Sequence, residues 1–144
     1  MDPYAQKMIK TDFFHAKRDV PARVVVVLDG HLENRGLQLI QPMSRAYAEK
    51  TIIELIATDD ANARPGSTVQ PIAYIAFVEI EKSGVILAGD DVVWNGTTIG
   101  TIAGYDDTHL PNHQNVIVAV KKRISGKELG LRIDDQIVIK GFQK

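Results

Sequence analysis

The sequence predicts a mostly-β fold: a single-domain small β-barrel with one or two short helices. Three observations carry that prediction. Apolar β-branched runs recur at short intervals, turn residues punctuate them, and the 144 residues contain no linker or repeat at which a second domain would begin. A chain of this length buries a core of its own, and a hydrophobic fraction of 44% is ordinary for a globular domain.

The elements follow in order. Asp2-Pro3 reads as a helix start, a capping acid with proline in the first turn, and the helix would run to about His15. Residues 1–20 are therefore expected to form a peripheral N-terminal segment. Residues 22–28 form an apolar run expected to be a buried strand, ended by the turn chemistry of Asp29-Gly30. A second short strand is expected over 37–40. Residues 44–57 admit two readings. Ser44 is placed to cap a helix through Tyr47 and Glu49, whereas the Ile- and Thr-rich stretch that follows favours a strand over 50–58. Residues 59–67 hold acids, Asn, Pro and Gly and read as a loop, and 72–80 as a strand after Pro71. From Val85 onward, short strands are broken by Gly89-Asp90, Asn95-Gly96, residues 104–114, Ser125-Gly126 and Asp134-Asp135. Asn95-Gly96 between two β-branched runs predicts a two-residue hairpin within 85–103.

Composition bounds the function. A formal net charge of -1 gives no electrostatic case for nucleic acid or an anionic membrane. No apolar stretch approaches the roughly 20 residues that span a bilayer, and the first residues lack the apolar centre of a signal peptide, so a cytoplasmic protein is expected. With no cysteine, disulfides, thiolate metal sites and cysteine nucleophiles are excluded together. Nothing in the sequence requires a cofactor.

Two segments concentrate chemistry. Residues 105–115 carry His109 and His113 with Asp106, Asp107, Asn112 and Asn115, between apolar runs that hold the loop in place. The two histidines are four apart, but Pro111 between them argues against a regular helix. A loop converging both rings, with an oxygen from Asp106 or Asp107, would suit zinc or another divalent ion; ordinary loop histidines are the plain alternative. The second segment is His31 to Gly36. Here His31 and Glu33 would serve as a base and its orienting partner, and Arg35 as a clamp for a carboxylate or phosphate; the plain alternative is a charged turn. If the two loops meet, His31, Arg35, Asp107, His109 and His113 form one polar pocket, with His113, His109, Asp107 and His31 as catalytic candidates and Arg35, Glu33, Asn112 and Asn115 as ligand contacts. Trp94 and Tyr105 read as core or interface aromatics, and Lys121-Lys122-Arg123 as a solvated strand end. Residues 126–130 lack the remainder of a phosphate-binding loop.

The stretch Gly89-Asp-Asp-Val-Val-Trp94-Asn-Gly96-Thr-Thr-Ile-Gly100-Thr-Ile-Ala-Gly104, followed by a polar loop and by Asn112-His113 entering Val116-Ile-Val118, resembles the C-terminal half of the glucitol/sorbitol-specific enzyme IIA family of the bacterial sugar phosphotransferase system. The similarity covers roughly residues 72–140 and lies in turn spacing and apolar pattern. It implies a small barrel. The family's phosphoryl-carrying histidine would fall in the strand before the hairpin, and residues 74–81 contain no histidine. The scaffold is thus expected with a different task. Two functions follow: a small-molecule binding protein or enzyme using loop histidines for proton transfer, or a non-catalytic regulatory or assembly module related to sugar phosphotransferase components. A homo-oligomer is also expected, because a small barrel with an open edge invites a covering copy.

Overall fold

The computed structural model describes residues 13–144. Most of the expected N-terminal helix lies outside the described residues. Within them, residues 13–15 are not helical, and Ala16–Lys17 form β1. The other strands are β2 (Val20–Val27), β3 (His31–Leu32), β4 (Leu37–Gln38), β5 (Ser44–Tyr47), β6 (Ile52–Thr58), β7 (Thr68–Val69), β8 (Ile72–Ile80), β9 (Gly84–Leu87), β10 (Asp91–Trp94), β11 (Thr97–Asp106), β12 (Gln114–Ala119), β13 (Gln136–Ile139) and β14 (Phe142–Gln143). A one-turn helix, α1 (Gly126–Leu129), precedes β13.

Seven strands close into a barrel in the order β2-β13-β10-β11-β12-β6-β8, with β8 pairing back onto β2. Closure removes the open barrel edge on which the expectation of a homo-oligomer rested. Every neighbouring pair is antiparallel except β12–β6. Register shifts in β10–β11, β11–β12, β2–β8 and β6–β8 bend the strands to the curvature that closure needs.

Strand alternation sends one set of side chains inward. Val20, Ala22, Val24, Ile53, Leu55, Val78, Val116, Val118 and Tyr105 fill the barrel, with the Tyr105 hydroxyl donating to Ile86 O at 2.8 Å. The opposite set would meet water, yet a second apolar cluster forms there from Leu37, Leu39, Ile56, Val69, Ile72, Ala103 and Ile117. A flap covers it: β4 pairs with β7, Leu39 N–H donates to Ser67 O at 2.9 Å, and Ile40 N–H donates to Tyr105 O at 2.8 Å. Each fully buried Leu or Ile beneath the flap stabilises the fold by about 1.5–3 kcal/mol.

Most expected strands are present, with three differences. The segment from Ser44 is a strand rather than a helix, because it pairs with β9. That same pairing takes residues 84–87 away from the expected 85–103 hairpin, which instead joins β10 to β11. The strand expected over 37–40 ends at Gln38, although Leu39 still bridges to Asp106. The part of the N-terminal segment that is described is tied in: β1 pairs with β14, and Lys17 Nζ lies 2.9 Å from the buried Asp90 carboxylate. No helix among the described residues is long and apolar enough to cross a membrane.

Two backbone positions make the fold testable. Asn95 and Gly96 have φ of 52° and 74°, as a type I′ turn requires. Asn95→Val places a β-branched residue at positive φ and is expected to cost roughly 1–3 kcal/mol in a denaturant titration. At Gly126 an added Cβ would sit 1.9 Å from Ile75 O, so Gly126→Ala is expected to lower the thermal midpoint more than Asn95→Val does.

Candidate functional site

A transverse row of side chains crosses five strands of the barrel's outer face. The register pairs Val26 with Phe77, Phe77 with Glu54, Glu54 with Asn115, and Asn115 with Asp106. Residues paired in register share a face, so a charged group, Glu54, stands between Phe77 and Asn115 on a surface otherwise closed by the flap. Glu54 is 6% exposed.

The loop between β11 and β12 arrives over this row. Asp106 Oδ1 accepts from Thr108 N–H at 2.9 Å, which starts the loop. His109 O accepts from Asn112 N–H at 2.9 Å and from His113 N–H at 3.3 Å, which curls it so that the two imidazoles meet. Their ring centres are 5.1 Å apart and tilted by 33°. The expected convergence of His109 and His113 is therefore present without a regular helix.

The two rings differ in their freedom. His113 Nε2 lies 2.9 Å from Glu54 Oε1, His113 Nδ1 lies 2.7 Å from Asn112 Nδ2, and the ring meets Phe77 edge-on at 4.8 Å. Asn112 Nδ2 can only donate, so Nδ1 accepts and His113 carries its proton on Nε2, donating to Glu54. Both nitrogens are thus occupied, and the side chain is only 9% exposed. His109 is exposed, and its Nε2 lies 3.4 Å from Arg35 Nη2. A guanidinium only donates, so Nε2 accepts and Nδ1 holds the proton, with no partner among the described residues. Burial pushes the Glu54 carboxyl above the ordinary range, against the pull of the His113 hydrogen bond and of nearby His109 and Arg35.

Only part of the second segment joins this site. Arg35 comes to it from the flap, held by its backbone N–H on Gln70 O at 2.9 Å. His31 goes elsewhere: its Nε2 pairs with Glu128, whose carboxyl is held down to about 2 by that contact and by the Ser125 backbone N–H. Glu33 also leaves, accepting from Arg123 Nη2 at 3.0 and 3.1 Å. Arg123 is consequently no solvated strand end; it also donates to Leu32 O and Ile72 O and faces Asp59.

Asp107 turns away as well. Its Oδ1 accepts from Gln114 Nε2 at 2.7 Å, and Gln114 Oε1 accepts from Arg45 Nε and from the Tyr47 hydroxyl. Asp106 is consumed by Gln38 N–H, Thr108 N–H and Asn115 Nδ2. Neither acid is left to complete a metal set with the histidines. Among the described residues no group of three or more His, Cys, Asp or Glu side chains is arranged to hold a metal ion.

Sequence reasoning missed Glu54 and Phe77. Glu54 left a signal: it is the one charge within the apolar run Ile52-Ile53-Glu54-Leu55-Ile56. A lone carboxylate on a strand buried on both faces needs a partner, and partnered buried charges mark sites.

Residues 14–140 match the model of a family described as a family of unknown function, DUF6917. No curated protein and no solved structure matches the chain.

The two histidines should separate on substitution. His113→Ala removes the donor to the buried Glu54 and is expected to lower stability by roughly 1–3 kcal/mol. His109→Ala, at an exposed ring with one long hydrogen bond, is expected to change stability by less than about 0.5 kcal/mol. Paired urea titrations measure both.

Proposed function

The chain belongs to the DUF6917 family, and from that premise we propose that its outer-face site binds a small anionic molecule and transfers a proton on it. One observation supports this reading above the others. On the exposed rim stand two adjacent donor groups, the Arg35 guanidinium and the His109 Nδ1–H, above the hydrogen-bonded His113–Glu54 pair. Apart from its contact with His109, the Arg35 side chain makes no hydrogen bond or close ion pair among the described residues. A rim that offers only donors suits a carboxylate or phosphate, and a planar guanidinium matches such groups with two parallel hydrogen bonds.

The chemistry follows from what an anion would do there. It would compete with His109 Nε2 for Arg35. Once the guanidinium turns to the anion, the Nε2 lone pair is released and becomes a general base. His109 then takes a proton from the bound molecule onto Nε2 and becomes imidazolium, while Nδ1–H remains a donor. His113 acts as a positioning residue, its ring against His109 and locked by Glu54 and Asn112. The catalytic assignment thus moves from His113 to His109. Val26 and Phe77 in the adjoining row offer an apolar surface for the rest of the molecule.

Sulfate and succinate are suitable first probes in an NMR titration following the His109 ring and the Arg35 Nε–H. Saturable shifts at both groups are expected, with Arg35→Ala weakening binding by roughly tenfold or more, equivalent to about 1.4 kcal/mol. The other expectation, a regulatory or assembly module related to sugar phosphotransferase components, predicts no saturable shift at either group, and that result would reject the anion site.

A further inference from the structure

Asn115 is fully buried and only half satisfied. Its Nδ2 donates to Asp106 Oδ1 at 3.0 Å, while its Oδ1 is buried with no hydrogen-bond partner. The orientation of this amide is fixed, because Asp106 as a carboxylate only accepts. Strand β12 lies between β11 and β6. Nδ2 is committed to Asp106 on the β11 side, and on the β6 side the residue in register with Asn115 is Glu54.

Glu54 is satisfied on one oxygen only. Oε1 accepts from His113 Nε2–H, and Oε2 has no partner. An ionised Glu54 would therefore set a carboxylate next in register to an orphaned carbonyl oxygen. A proton on Oε2 resolves both deficits at once. We infer that Glu54 is held as a neutral carboxylic acid whose Oε2–H donates to Asn115 Oδ1. The donors then run in one direction, from Asn112 to His113, to Glu54, to Asn115, to Asp106.

The groups around Glu54 pull in both directions. From the loop come His113 and His109, and from the flap Arg35; a positive charge on any of them favours the ionised form. From β8 comes the apolar Phe77, and from β11, one residue further along the row, the Asp106 carboxylate. Burial outweighs the rest and raises the Glu54 pKa, in agreement with the hydrogen-bond pattern.

The consequence concerns the rim, and here the inference rests on the anion-binding reading. With Glu54 neutral, the Arg35 charge above it is uncancelled and the rim attracts an anion. Ionisation of Glu54 would place a negative charge directly behind that rim. Anion affinity should then fall as pH rises through the Glu54 pKa. Stability follows the same sign: a carboxyl whose pKa is raised by folding contributes fully below the ordinary carboxylate range, and the contribution is lost as pH rises to the raised value.

Glu54→Gln tests this directly, because an amide reproduces the neutral acid: its oxygen accepts from His113 and its NH2 donates to Asn115. The variant is expected to melt within a few degrees of the wild type near neutral pH. A large fall in melting temperature would instead mean that an ion pair had been removed and would overturn the inference. In the wild type, the 13C signal of the Glu54 carboxyl, assigned by its loss in Glu54→Gln, should titrate above the ordinary carboxylate range; titration within that range would also overturn it. Sulfate, which does not titrate here, is the ligand probe. Its affinity should match in the two proteins at low pH, and wild type should be weaker by roughly threefold or more above the Glu54 midpoint. A raised Glu54 midpoint without any sulfate binding would sink the anion site and leave the protonation assignment standing. Sulfate binding with an ordinary Glu54 midpoint would do the reverse.

Discussion

Seven is an odd number of strands, and that constraint organises the molecule. Strand directions alternate around a closed antiparallel barrel, so an odd count cannot close without a parallel pair. Here the pair is β12–β6. Parallel neighbours begin at the same end of the barrel. The residue before β12 is His113, and it arrives beside the start of β6, where Glu54 stands. The hydrogen bond between these two groups, 59 residues apart in sequence, is thus a consequence of how the sheet closes. The antiparallel partners of β6 and β12 complete the row with Phe77 and Asp106.

Closure also fixes what lies outside. Strands β6, β8 and β12 are apolar on both faces, which a sheet wetted on one side does not tolerate. The flap built from β4 and β7 covers the second face and forms the smaller core around Leu39, Ile56 and Ile117. Its edge carries Arg35, whose backbone is tied to Gln70. Packing therefore sets the position of the guanidinium relative to the His109 loop. The candidate site is the seam where an apolar cover ends and a polar loop begins, which is why one of its histidines is buried and the other is exposed.

The sequence carried the barrel because its signals are local. Asn95-Gly96 specifies its own turn, and the β-branched run at 72–80 forms a strand wherever it lies. The pairing of β5 with β9 was not legible, since a four-residue strand such as Ser44–Tyr47 gains its conformation from a partner about forty positions away. The site was legible in its residue types and not in their grouping. His109, His113 and Arg35 do assemble. His31 and Glu33 occupy the same hexapeptide as Arg35, yet α1 and Arg123 draw them off through Glu128 and a paired guanidinium contact. Glu33 and Arg35, two residues apart, go to different partners, Arg123 and His109, which lie 90 and 74 positions away.

Counting which donors and acceptors are already spent narrows the chemistry further. Asp106, Asp107, Glu33, His31, Gln114 and Arg123 all meet partners within the fold. They hold loops and the flap in place, and rearranging the buried ones, Asp106 and Gln114, would leave polar groups unsatisfied that fold-level contacts now satisfy. At the seam four groups remain uncommitted: the free edge of Arg35, Nδ1 of His109, one oxygen of Glu54 and one of Asn115. The first two face outward and are donors. The last two are acceptors on residues paired in register, and the inferred proton between them would complete the inner layer and leave the Arg35 charge on the outer one. On the proposed reading, recognition at the surface and protonation beneath it would be coupled through one carboxyl group, and the strand pairing that closes the barrel is what puts that group there.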